Sequence, residues 1–167
     1  MKRPDLGPRR APPPRALLVL LLPAMLERLP DRALVETVLR APDAVAVEPA
    51  RVSYGALARL PAGVARSIAR RQARRMRLPG TPAVVAAMDP LQVPLATALV
   101  DRHAGAELWY GATRPPAGAP SRAAQLDAAA RERAAACFAL PLSAPLWTRM
   151  ESLGVESGRL GSERLSS

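Results

Sequence analysis

Aromatic residues make up only 3% of this 167-residue chain, and it holds a single cysteine, a single histidine and a single lysine. Each scarcity excludes something. Cys137 alone leaves no intrachain disulfide, and one cysteine beside one histidine leaves almost no room for zinc-type clusters or Cys–His nucleophilic catalysis. Gly-rich phosphate loops, Walker-type lysines and nucleophile elbows are missing as well. Neither a metal nor a cofactor is expected. No apolar run approaches the roughly 20 residues of a membrane-spanning helix, so contact with a bilayer is expected to be peripheral. His103 closes a predicted helix, where a cation suits the dipole, and Cys137 reads as a small core residue inside a strand.

What is abundant is aliphatic. Hydrophobic residues reach 49%, so the core must be built from Ala, Val and Leu, which suits helices packed on a sheet. Five apolar runs recur, each ending in Pro, an acid or Gly, with Ala/Leu/Arg-rich helical stretches between most of them. They lie near 16–22, 44–48, 83–88, 106–110 and 136–140. Runs without polar alternation suit strands buried on both faces. The predicted class is α/β: a Rossmann-like open parallel sheet of about five strands, flanked by helices on both faces. In such sheets ligands sit beyond the carboxyl ends of the strands, where Glu48, Asp89 and Tyr110 fall.

Helices are predicted at 31–40 behind the N-cap candidate Asp31, from Tyr54 to Arg77, after Pro90 with Pro94 in the first turn, from Ser121 onward, and briefly at 147–153. The second of these carries Leu57, Leu60, Val64 and Ile68 at steps of three and four, an apolar stripe expected to face the sheet or a bilayer. Arg59, Arg66, Arg70, Arg74 and Arg77 take the opposite side. Of nineteen prolines, eight cluster at the N-terminus and around 115–120. Residues 1–15 read as a disordered basic leader, preferred over a secretory signal because the apolar run after it is short and no small-residue cleavage site follows. Residues 16–141 form the domain, and 142–167 a short helix with a disordered tail.

Net charge is +10. Part of the arginine excess matches the codon bias of a GC-rich genome, yet residues 51–77 carry eight arginines and no acid, which points to an anionic partner. Glu48 and Asp89 each end a predicted strand just before Pro, so a parallel sheet puts both carboxylates at one edge, where either can accept a proton from a bound hydroxyl or simply cap the next turn. Trp109 and Tyr110 alternate, so one is expected in the core and the other toward the cleft. Tyr110, and Arg114 in the loop beyond it, are the acceptor-binding candidates.

The order of these elements, with the corners Val47-Glu48-Pro49 and Met88-Asp89-Pro90 and the later step LDAAARERAAACFALPLSAPLW, resembles the N-terminal, acceptor-side half of bacterial GT-B-fold glycosyltransferases of the family-4 type. The resemblance spans about Arg15 to Trp147. It implies a transferase-like domain at the cytoplasmic side, peripheral to the inner face of the membrane. Two departures stand out. The fourth strand runs into Leu108-Trp109-Tyr110-Gly111-Ala112-Thr113 with no acid, and the second Rossmann domain that holds the nucleotide sugar in the family is missing. The resemblance therefore implies a half-domain, a separate subunit or a truncated remnant, inactive alone and dependent on a separately encoded donor-binding half. A second reading is a non-enzymatic basic module docking on an anionic membrane surface or nucleic acid, nucleic acid being the less expected of the two. A third takes the residues after about Leu140 as the product of a shifted reading frame, because LSAPLWTRMESLGVESG breaks the strand-helix pattern.

Overall fold

A computed structural model of the chain describes residues 15–21, 35, 38, 43–47, 60–111, 122–139 and 142–156. Its centre is a five-stranded sheet of β1 (Ala16–Leu21), β2 (Ala44–Val47), β3 (Thr81–Ala87), β4 (Glu107–Tyr110) and β5 (Ala136–Cys137). Every pairing is parallel, in the order β2-β1-β3-β4-β5. The predicted α/β class is what the chain adopts. β1 and β3 are nearly all apolar because both their faces are covered: Leu17, Val19 and Leu21 pack into one side of the sheet, Leu18 and Leu20 into the other.

Four helices flank the sheet among the described residues: α1 (Ala62–Arg75), α2 (Val93–Arg102), α3 (Arg122–Arg133) and α4 (Ala144–Ser152). Ala69 and Ala73 of α1, Leu95 and Leu99 of α2 and Ala130 of α3 share one core with Val85 and Tyr110. Met150 of α4 and the helical residues Val35 and Val38 share the other with Val84 and Trp109. Trp109 and Tyr110 do alternate, but both are buried, at 1% exposure each. The expectation that one would reach a cleft fails because helices cover both faces at β4.

In α1 the described part of the predicted stripe, Val64 and Ile68, does not pack on the sheet. Within the described residues the helix starts directly after Pro61, while Leu57 and the rest of 54–59 lie outside them. Its buried positions are Ala65, Ala69 and Ala73, and Val64 and Ile68 are 44% and 38% exposed. Alanines at four-residue spacing let α1 approach α2 closely, and Arg102 of α2 donates to the Ala73 carbonyl. Larger side chains at those positions would hold the two helices apart. Backbone proximity also dictates Gly80, whose added Cβ would strike the Arg15 carbonyl oxygen. That oxygen accepts from Thr81 N at 2.9 Å and so sets the start of the β1–β3 ladder. Pro82 has no N–H to contribute, and the register slips past Ala83 before it resumes at Val84.

β5 is shorter than the 136–140 predicted. It is an edge strand of two residues, extended by the bond from Phe138 N to Tyr110 O at 3.0 Å. Cys137 is exposed there rather than buried in a core, since nothing pairs with its outer side among the described residues. The segment from Leu142 to Glu156 packs against the sheet. Met150 is fully buried and Val155 1% exposed, Leu142, Leu146 and Trp147 pack around them, and Glu156 N donates to buried Asp43 Oδ2 at 3.2 Å. A turn through Gly154 at φ +85°, a backbone that glycine adopts without strain, brings Val155 back under the sheet. Residues 1–14 and 157–167, where the leader and the end of the tail were predicted, lie outside the described residues.

Candidate functional site

The carboxyl edge of the sheet is drawn by one row of residues. Val47, Leu21, Ala87, Tyr110 and Cys137 are successive register partners from β2 to β5. The chain leaves β1 toward β2 on one side and returns to β3 on the other, so the direction reverses between β1 and β3. Such a reversal is where open α/β sheets form a crevice. Val47 and Ala87 sit level on either side of Leu21, about 10 Å apart at ordinary strand spacing. Glu48, next after Val47, lies outside the described residues, as do Arg59 and Arg114.

Asp89 stands at the end of β3 beside this reversal. Its backbone is extended, with φ −143° and ψ 137°, and its Oδ1 accepts from Leu91 N at 2.8 Å, capping the short 3-10 turn Pro90–Gln92 that opens α2. The side chain is half-buried. Capping and a solvent-facing carboxylate are thus compatible at the same residue, because the Asp-Pro corner turns the chain away from the sheet and leaves the carboxylate at its rim.

Tyr110 is neighbour to this corner but differently committed. Its hydroxyl donates to Asp127 Oδ1 at 2.8 Å, and the Arg131 guanidinium lies 5.7 Å from the ring centroid while bonding Asp127 Oδ2 at 2.9 Å. Burial, then the hydrogen bond to Asp127, push the tyrosine far above its ordinary range, with a small addition from the Asp89 charge. Burial also acts to raise Asp127, but the hydrogen bonds from Arg131 and Tyr110 outweigh it and the carboxyl ends below its usual value. The hydroxyl of Tyr110 therefore has its proton engaged by α3. Asp127 and Arg131 went unnoticed in the sequence, although their i, i+4 spacing on a predicted helix was the available signal.

At the opposite edge Glu107, the first residue of β4, receives Arg149 of α4 through both oxygens, at 2.9 and 2.8 Å, and Trp109 Nε1 at 3.0 Å. The hydrogen bond from Arg149 holds the Glu107 carboxyl below its ordinary range. A carboxylate so lowered stabilises the fold above its unfolded value, and that contribution is lost as pH falls through the folded value. Glu107→Gln should accordingly be less stable than the parent at pH 7, with the difference closing below about pH 4. Urea unfolding across that pH range measures it, and a gap that persists in acid would mean that the ion pair is not its source.

The arginines sort clearly. Arg66, Arg70, Arg74 and Arg77 are exposed, and so are Arg71 and Arg75, which the sequence reading left out. None of them forms an ion pair among the described residues, where the bridges are Arg131–Asp127, Arg133–Asp101 and Arg149–Glu107. His103 follows α2 as its cap, and burial, then Arg102, lower its pKa, so it carries little charge at neutral pH. No group of three or more His, Cys, Asp or Glu gathers among the described residues at metal-binding range, and no described helix is long and apolar enough to cross a membrane. Comparison of the chain with protein-family models, with curated proteins and with solved structures finds no match in any of the three.

Proposed function

We propose that this chain is an acceptor-side half-domain of the glycosyltransferase type, with its site at the carboxyl edge of the sheet and Asp89 as the carboxylate that receives the acceptor hydroxyl. One observation carries the reading: Asp89 sits half-buried at the reversal between β1 and β3, held in place by the Leu91 N–H. A carboxylate so placed can accept a hydrogen bond or a proton from a hydroxyl in the crevice. Tyr110 is withdrawn from acceptor contact by Asp127 and instead forms the wall behind the corner. Glu48 and Arg114 belong to the same reading through their positions after β2 and β4.

Transfer needs a donor brought into line with the acceptor, and in the resembled family the nucleotide sugar is held by a second sheet domain. The described residues hold one sheet. The isolated 167-residue chain is therefore expected neither to bind uridine or guanosine diphosphate sugars nor to transfer from them, and any activity requires a separate donor-binding half. Calorimetry with a panel of these nucleotide sugars tests the assignment. Saturable micromolar binding to the isolated chain would overturn it. A parallel NMR titration with simple alkyl glycosides as acceptor probes should shift the Leu91 and Tyr110 amides first, and Asp89→Asn should remove those shifts.

A further inference from the structure

Among the described residues two large aliphatic side chains are exposed, Val64 and Ile68, and both lie on the most basic helix of the chain. They occupy one side of α1 together with Arg71 and Arg75, at positions i, i+4, i+7 and i+11, while Arg66, Arg70 and Arg74 line the other side of the same outward surface. The face that packs on the sheet is alanine only, so neither valine nor isoleucine is needed to hold α1 in place. No acid lies between residues 51 and 77. The geometry points to α1 as a docking face for an anionic lipid bilayer, with Val64 and Ile68 entering the headgroup boundary and the surrounding arginines meeting lipid phosphates.

Three features select this occupant. Charge complementarity calls for an anionic surface, and arginine pairs well with phosphate oxygens. An aliphatic pair ringed by cations is the pattern of helices that lie in the interfacial plane, where apolar burial and attraction to anionic lipid act together. A single-stranded nucleic acid would instead call for exposed aromatic platforms, whereas each described aromatic residue is buried or half-buried. The inference is independent of the acceptor reading, since it uses no residue of the sheet edge.

Sedimentation with vesicles tests it on the full chain. Vesicles of equimolar phosphatidylglycerol and phosphatidylcholine should bind, pure phosphatidylcholine vesicles should bind far less, and added salt should weaken the first. Each replacement of Arg70, Arg71, Arg74 or Arg75 by glutamine should lower partitioning about fivefold, and the double variant Val64→Ser, Ile68→Ser should lower it about tenfold. Both sets are on the exposed face, so the thermal unfolding midpoint should stay unchanged. Ile68→Trp supplies a reading that loss of fold cannot imitate: tighter binding, with its emission moving to shorter wavelength on the anionic vesicles. No binding to anionic vesicles, binding indifferent to Val64→Ser and Ile68→Ser, or an RNA affinity that exceeds vesicle binding would each overturn the proposal.

Discussion

Trp109→Ala is expected to lower the stability of this protein by about 3–5 kcal/mol, as large aromatic truncations in a packed core do. The indole is 1% exposed in the middle of the sheet, flanked by Ala86 of β3 and Ala136 of β5 as register partners. Both neighbours are alanine, so they offer no bulk to collapse into the space. Around the indole, Leu18, Leu20, Val38, Phe138, Leu142 and Met150 already line a small apolar recess. Removing the ring enlarges that recess and also releases the bond from Nε1 to Glu107. A domain of this size has roughly 5–15 kcal/mol in total, so a large share of its stability depends on one side chain. Guanidinium unfolding of both proteins measures the difference, and a loss below about 1 kcal/mol would mean that the recess closes around the alanine.

Met150→Ala is expected to cost about 2–5 kcal/mol, equivalent to a fall of roughly 5–15 °C in unfolding midpoint for a chain of this length. The residue is fully buried, and it is the one position of α4 that is. It packs with Val35, Val38 and Trp109 against residues more than a hundred positions earlier in the chain. A loose C-terminal appendage would make the same substitution silent. The result therefore decides whether residues 142–156 are part of the cooperative unit. Differential scanning calorimetry should show one transition shifted as a whole, and a separate early transition for α4 would sink the expectation.

The parts of this structure that could be read in the sequence are those governed by local pattern. Continuous apolar runs with Pro, Gly or acid at their ends announced five strands, of which β1, β3 and β4 are largely buried, and their near-regular alternation with helical stretches announced parallel pairing. Asp89 was legible because an acid before Pro at a strand end has few places to go. Tyr110 was legible as a strand-end residue but not as a buried one, since the Asp127 that holds its hydroxyl lies 17 residues on. Likewise the pairing of Glu107 with Arg149 spans 42 residues, a separation over which no periodicity in the chain carries information.

The helix α1 shows where the boundary between the two kinds of information runs. Its helicity and charge are local properties of an Ala- and Arg-rich stretch, and the amino-acid sequence by itself determined them, as it determined the strands and the parallel class. Which side of that helix packs inward was decided by the tertiary structure. Hydrophobicity alone favours Val64 and Ile68 for the core, but the inward positions are Ala65, Ala69 and Ala73, and backbone distance between packed elements is limited by the side chains at the contact. The same holds for α4, which enters the core through Met150 only because a sheet face is there to receive it. Burial depends on the shape of what is packed against, and that shape exists only once distant segments have met.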